Sequence, residues 1–345
     1  MPCRDADAGI VARGEQLGMS ELDTARPSSR ELERQLEDHR KELTGYCYRM
    51  LGSSFEAEDA VQETMVRAWR SLDRFEGRSS LRSWLYKIAT NVCFDLLNGT
   101  QRRARPMDLG PAGTAESMLG PMLGEATWVM PIPDGRVVPD DADPAEQAVA
   151  RESIRLAFVN ALTHLPARQR AVLILREVLR WKADEVAELL GTSTASVNSA
   201  LQRARATLST VNPVATDPID DDQQELLARY ADAFERYDME SLVALLHEDA
   251  TLSMPPYALW MVGPENIRNW MLGTGIGCHG SRLVATVANG TPAFGQYRVS
   301  ETGSGFDAWA LQVIEVRDGK VVGLNSFLDT PNLFPMFDLP LHLDA

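Results

Sequence analysis

The chain has 345 residues, 44% of them hydrophobic and 24% charged, with a formal net charge of −15. That is too long for one ordinary domain and suits two or three. No apolar run reaches the roughly 18–20 residues of a membrane-crossing helix, and the N-terminus lacks the apolar core of a secretion signal, so a cytoplasmic protein with no membrane association is expected.

The charge is unevenly spread. Residues 31–105 carry 13 basic and 12 acidic side chains and residues 146–210 carry 9 and 6, whereas residues 106–145 carry 1 and 7 and residues 211–345 carry 7 and 19. The acid is concentrated in a linker and a C-terminal third, which leaves two weakly basic blocks able to face a polyanion. Cys3, Cys47, Cys93 and Cys278 lie far apart, and the 5 histidines do not gather around them. Reduced thiols are expected, with no metal and no other cofactor.

Residues 1–28 show no sustained periodicity and read as a flexible tail. Residues 29–105 read as almost wholly helical. In 59–72, Val61, Met65, Ala68, Trp69 and Leu72 form an apolar stripe, with Asp59, Gln62 and Glu63 on another side. In 84–98, Leu85, Ile88, Ala89, Val92 and Leu96 point inward, while Tyr86, Lys87, Thr90, Asn91, Asp95 and Asn98 lie elsewhere and Arg102, Arg103 and Arg105 follow. Cations beside rings and amides suit a single nucleic-acid strand, whose phosphates meet the cations and whose unstacked bases lie on the rings. Trp84 fits either the core or that surface.

Residues 106–144 are rich in Pro, Gly and Asp, a linker composition. Met118, Leu119, Met122, Leu123, Trp128, Val129 and Met130 are unusual in a free linker, so part of it is expected to pack. A second helical block spans 145–210. Val186, Leu189 and Leu190 mark a one-sided helix that Gly191 stops, and Ser193 or Thr194 can cap the next helix. There Val197, Leu201, Ala204 and Leu208 make the buried stripe, leaving Thr194, Ser196, Asn198, Ser199, Gln202, Arg203 and Arg205 on other faces. Two helices about a short Gly-containing turn form a helix-turn-helix, whose second helix can enter a major groove. An ordinary helical hairpin has the same outline.

After a second linker at 211–222, residues 223–345 begin with helices near 223–247 and continue as strand-like segments, an α+β order. Asp318-Gly319 between alternating segments predicts a hairpin. Met254, Tyr257, Trp260, Trp270, Phe294, Trp309 and Phe327 fit a pocket lining or a plain core. His247, Asp249 and His279 are the groups an acid–base reaction would use, although His247-Glu248-Asp249 after a helix also reads as a turn.

The stretch "LTHLPARQRAVLILREVLRWKADEVAELLGTSTASVNSALQRARATL" resembles region 4 of the sigma-70 family, in particular its extracytoplasmic-function (ECF) class. The resemblance rests on Leu165-Pro166, Arg168, Gln169-Arg170, Leu173, Leu175-Arg176, Val186-Ala187, Leu190-Gly191, Val197, Ser199, Leu201 and Arg203-Ala204-Arg205. "FEAEDAVQETMVRAWRSLDRFEGRSSLRSWLYKIATNVCFDLLNGTQRR" is similar to sigma region 2, and the C-terminal block resembles the SnoaL-like (nuclear transport factor 2-like) cone fold. The implied fold is multidomain: two all-α sigma modules joined by a linker, then an α+β cone.

The resemblance implies an RNA polymerase sigma factor whose partners are the core enzyme and promoter DNA. Asp59, Gln62 and Glu63 would grip a coiled coil of the polymerase β′ subunit, and region 4 would rest on the β flap. Thr194, Ser196, Asn198, Ser199, Gln202 and Arg203 would read the −35 element. Many relatives carry Lys or Arg where this chain has Asn198, so phosphate attraction is expected to be weaker there. Phe75, Trp84, Tyr86, Lys87, Asn91, Asp95, Arg102 and Arg103 would form the −10 surface, with Phe75 and Tyr86 lining a pocket for a flipped base and Asn91 bonding its edge. No catalytic residue is implied. A fused C-terminal domain would modulate activity in cis; a separate anti-sigma partner and a small-molecule ligand of that domain stay open. A freestanding helix-turn-helix regulator would leave 55–103 without a purpose, and a SnoaL-like enzyme would leave both helical blocks idle.

Overall fold

The computed structural model describes residues 29–344 apart from 73, 74, 76, 78, 140–142 and 212–220. The expected tail at 1–28, and most of the second linker, lie outside the described residues.

The chain begins with helices α1 (Ser29–Asp38), α2 (Arg40–Leu51), α3 (Ser54–Ser71) and α4 (Leu81–Leu97). Gly52, at φ 74°, ends α2 in the left-handed conformation that favours glycine. Ser53 then caps α3 by accepting from the Glu56 N–H, and Ser80 caps α4 by accepting from the Ser83 N–H. The helix α2 is buried from Leu43 to Leu51 and forms the axis of this unit. Trp69 departs from its expected place, being 61% exposed. Val61, Met65, Ala68 and Leu72 follow the helical repeat, whereas Trp69 is about 100° further round than Ala68.

A short helix α5 (Pro106–Leu109) leads into the segment 110–139, which lies across the molecule as a strap. The apolar residues of this segment divide in two. Trp128, Val129, Met130 and Ile132 are buried, while Met118 and Met122 are 83% and 67% exposed. The Val129 N–H donates to the Ala104 carbonyl (3.1 Å) and the Met130 N–H to the Gly52 carbonyl (2.9 Å), which ties the strap to the first unit.

Then come α6 (Pro144–Glu152), α7 (Leu156–Thr163), α8 (Ala167–Leu173) with a π turn at Ile174–Val178, α9 (Ala183–Leu189) and α10 (Thr194–Val211). Gly191, at φ 60°, makes the turn between α9 and α10, and Ser193 caps α10 by accepting from the Ser196 N–H at 3.2 Å.

The last unit comprises α11 (Asp221–Glu235), α12 (Met239–Ala244), β1 (Leu246–Ser253), β2 (Trp260–Val262), α13 (Pro264–Leu272), β3 (Arg282–Ala288), β4 (Thr291–Val299), β5 (Phe306–Arg317), β6 (Lys320–Phe327), α14 (Thr330–Met336) and β7 (His342–Leu343). The sheet order is β2-β1-β6-β5-β4-β3, with β7 beside β5. Strands β1 and β6 run parallel and the other pairs antiparallel. Asp318 (φ 52°) and Gly319 (φ 67°) make the expected β5–β6 hairpin turn. His247 and Asp249 lie on strand β1 rather than in a turn after a helix.

Both faces of this sheet are buried, against different partners. Phe294, Ile314 and Leu324 join an inner core with Tyr230, Leu242 and Trp270 of the covering helices. Tyr297, Leu311, Val313 and Phe327 join a second core that runs through the strap, α2, α4 and α7–α10. The cone is therefore packed into the helical units by its outer face.

The β3–β4 turn fixes that docking. Asn289 (φ 57°) and Gly290 (φ 67°) form it. The Asn289 side chain donates to Tyr48 Oη (2.6 Å) and to the Ile154 carbonyl (2.6 Å), and accepts from the Ile132 N–H (3.0 Å). The Gly290 N–H donates to Asp134 (2.7 Å), and a Cβ on Gly290 would stand 2.7 Å from the Arg151 carbonyl. Replacing Asn289 by Ala strands buried partners and keeps a left-handed φ, at a combined cost of about 2–4 kcal/mol. Asn289→Gly relieves only the backbone term. Urea unfolding should rank the three proteins wild type, Asn289→Gly, Asn289→Ala.

Candidate nucleic-acid and polymerase interface

The second helix of the helix-turn-helix is open along its polar side. Thr194, Ser196, Asn198, Ser199, Gln202 and Arg203 are all exposed on α10, while Val197, Leu201 and Ala204 are buried beneath them. On α3, Asp59 and Gln62 are exposed and Glu63 is half-buried, held by Arg67 at 2.7 Å.

The residues around α4 divide into open and covered groups. Lys87, Asn91 and Asp95 recur at helical spacing on its exposed side, and Arg67 reaches Asp95 at 3.3 Å. Arg102 is exposed and hydrogen-bonds His164 at 2.8 Å. Phe75 and Trp84 are half-buried with ring centroids 5.0 Å apart, and Trp84 packs against the core.

Tyr86 and Arg103 differ from the expected open surface, because both are buried. Tyr86 is 0% exposed, with the tilted rings of Tyr46 and Trp181 packed against it, each with centroids 5.1 Å away. Trp181 comes from the loop before α9. Arg103 pairs with Glu56 at 2.6 Å and donates to the carbonyls of Glu125 (2.9 Å) and Trp128 (2.7 Å) in the strap. Arg105 is held by the cone, through Glu315 (3.1 Å) and Asn325 (2.9 Å). Sequence patterning missed these partners because they are remote in the chain and carry no shared motif.

The first and second helical units are in direct contact. Arg170 donates to the carbonyls of Met50, Thr163 and Leu165. Arg49 donates to Ser153 (2.6 Å) and the Ala150 carbonyl (3.2 Å). Burial lowers both guanidinium pKa values to about 10, so both stay cationic near neutrality.

Residues 36–103 match Sigma-70 region 2, residues 155–208 match Sigma-70 region 4, and residues 227–324 match the SnoaL-like domain. Over 310 residues the chain is 46% identical to the ECF RNA polymerase sigma factor SigG of Mycobacterium tuberculosis, covering 88% of this chain and 82% of that protein. The chain belongs to the ECF RNA polymerase sigma factors. It is also 30% identical over 298 residues to SigJ of the same organism, covering 83% of this chain and 88% of that one. The crystal structure of SigJ superposes with a TM-score of 0.57 at 25% identity, covering 90% of this chain and 99% of that chain.

In this ECF factor, Glu42 holds the two region 2 side chains, Arg82 and Tyr86, that meet Trp181 of region 4. It accepts from Arg82 at 2.8 Å and from Tyr86 Oη at 3.3 Å, and it lies 2.7 Å from His39. Arg82 in turn stands over the rings of Tyr86 (5.2 Å) and Trp181 (5.4 Å), one cation shared by both regions. Burial pushes the Glu42 carboxyl pKa up, but the His39 hydrogen bond and the charge and hydrogen bond of Arg82 outweigh it, and the net shift is downward. A depressed folded-state value contributes stability above the ordinary carboxylate range and loses it as pH falls through the lowered value. The difference in urea midpoint between wild type and Glu42→Gln should therefore be present near neutrality and vanish in acid well below the ordinary carboxylate range. A difference that persists or grows in acid would contradict this linkage.

Proposed function

We propose that this sigma factor is held in a closed form by its own C-terminal domain, and that opening exposes a −10 reading surface on α4. The observation that carries the closed form is the burial of Tyr86 against Trp181 of region 4; the part given to the C-terminal domain rests on the Asn289 turn that ties the cone to both helical units. A fully buried ring cannot receive an extruded base, and base capture is what would separate a melted strand from a paired one.

Distance supports the same reading. Elements centred at −35 and −10 lie some 25 base pairs apart, about 85 Å at 3.4 Å per pair. A compact body of roughly 180 residues has a radius of gyration of about 16 Å and a diameter near 40 Å. Regions 2 and 4 in direct contact cannot reach both elements, so they must separate on the promoter. The Asn289 turn opposes that separation by joining α2, the strap and the chain entering α7.

In the open form, we assign Thr194, Ser196, Asn198, Ser199, Gln202 and Arg203 to the −35 element. Phe75, Trp84, Tyr86, Lys87, Asn91, Asp95, Arg102 and Arg103 are assigned to the −10 strand, and Asp59, Gln62 and Glu63 to polymerase β′. Asp59, Gln62 and the α10 face stay exposed in the closed form, so the restraint falls on base capture and on the separation of the modules. The domain division that follows is 29–105, 145–210 and 223–345, with the strap acting as a clasp between them. We read the protein as a regulator without turnover of its own, acting beside RNA polymerase in the cytoplasm. His247, Asp249 and His279 are not among the residues lining the cone cavity.

Two measurements with purified core polymerase test it. Ending the chain after residue 211 should raise promoter-dependent initiation and binding of a single-stranded −10 oligonucleotide; unchanged values for both would sink the cis-closure reading. In the shortened protein, Asn91→Ala and Arg203→Ala should each weaken open-complex formation about tenfold, as expected for loss of a base contact. If both leave start-site selection untouched, the assignment of these faces fails.

A further inference from the structure

The inside of the cone holds a set of polar groups that promoter recognition does not use. Its cavity of about 30 Å3 is walled largely by apolar side chains, among them Phe234, Leu252, Ile267 and Leu324. A directional chain of hydrogen bonds crosses it. Tyr230 Oη donates to Gln312 (2.8 Å), Gln312 Nε2 to Gln296 (2.8 Å), Gln296 Nε2 to Ser281 (3.0 Å), and Ser281 Oγ to the Cys278 carbonyl (2.7 Å). Every link in that chain has its partner.

Two other lining groups do not. The indole N–H of Trp270 and the Nε–H of Arg298 are buried without an acceptor. The Arg298 guanidinium carbon stands 3.3 Å from the centre of the Trp309 ring, and one terminal nitrogen donates to Cys278 Sγ at 3.0 Å, a weak acceptor. Among the described residues no carboxylate pairs with Arg298, although residues 211–345 hold 19 acidic side chains against 7 basic. Buried donors left unpaired are costly, and a cation among them more so. An acceptor-only anion is the chemistry that suits donors of this kind.

We propose that the cone binds a small organic acid with an apolar body, its carboxylate held by Arg298 and the Trp270 indole. The pairing of strands places the two parts of such a ligand. Arg298 pairs with Asp307, and Leu311 pairs with Phe327. Gln296 faces Ala310 while Tyr297 faces Ala308, so Trp309 is the extra residue of a bulge, a device that re-aims a side chain. Arg298, Trp309 and Leu328 consequently meet at one end of the cone. The inner cavity has room for a carboxylate head and little else. Leu328 also lines a cavity of about 410 Å3 between cone and strap, with Met122, Leu123, Trp128, Met130 and Phe327 around it. The apolar body lies there, against methionines that adapt readily to shape. The ligand thereby touches the strap that holds Arg103.

Binding is tested on the full chain, with no polymerase present, so failure here is distinct from failure of the closed-form reading. The probes are octanoate, phenylacetate and benzoate, each against its neutral amide, followed by calorimetry and by the Trp270 indole N–H resonance, assigned with Trp270→Phe. At least one acid should bind and move that resonance, and its amide should bind about tenfold or more weaker. Arg298→Met should weaken the acid by a similar factor and leave the amide unaffected, while Arg298→Lys, which keeps the charge without the planar fork, falls between. If no acid in the series moves the resonance at millimolar concentration, or acid and amide bind alike, or Arg298→Met binds as wild type does, the proposal is wrong. The acid–amide comparison uses only the native protein and stands even if a variant fails to fold.

Discussion

Burial of the Asn289 side chain at a junction of three remote segments is the constraint from which the rest of the arrangement follows. Its amide meets Tyr48 on α2, Ile132 in the strap and Ile154 before α7. Apolar contacts around it are tolerant of small shifts, because dispersion and area burial depend little on direction. Hydrogen bonds in a dry interior are not tolerant, since each missed partner costs a large part of a buried polar group's desolvation. The apolar core supplies the attraction between cone and helices, and the amide selects one docking geometry among those the attraction would allow. Gly290 completes the fit, since the Arg151 carbonyl lies where any side chain would begin.

The same logic extends along the strap. Its buried part, Trp128 to Ile132, runs between the first helical unit and the outer face of the cone sheet. Arg103 and Arg105 follow α4, and both are drawn away from solvent, one by Glu56 and strap carbonyls and the other by Glu315 and Asn325. The acidic third of the chain thus engages Arg105, and the strap engages Arg103, next to a surface assigned to DNA. Charge complementarity within one chain competes with charge complementarity to a polyanion. Because the internal pairs are largely buried, salt screens them less than it screens exposed pairs.

Exposure distinguishes the recognition surfaces. The polar side of α10 and the Asp59–Gln62 side of α3 face solvent, whereas Tyr86 is sealed by Trp181 and held near Arg82 and Glu42. Rings are suited to such a lid: they bury much area at little entropic cost, and a cation between two of them adds direction. The stacking that would receive a base is available equally to another side chain of the protein, so the surface that reads can also be covered.

Much of this architecture was legible in the amino-acid order. Helical spacing located α3, α4 and α10, Gly191 and Ser193 located the turn between α9 and α10, and Asp318-Gly319 located a hairpin. These features depend on neighbours within a few residues, which periodicity and capping report directly. Two local features are not recovered from the chain order: the Asn289-Gly290 turn draws no reading, and His247 to Asp249 reads as a turn. Asn289-Gly290 carries the same turn chemistry as Asp318-Gly319, but Pro292 beside it breaks the look of a strand. His247 to Asp249 looked like a turn because polar residues follow a helix there, yet they lie on an edge-side stretch of β1 where water meets the strand. The covering of Tyr86, the capture of Arg103 and Arg105 and the seating of Asn289 had no sign in the chain order. Each needs partners that are distant in sequence and meet only when separate units close on one another, so the identity of the modules is written locally while their mutual exposure is set by how the folded surfaces fit.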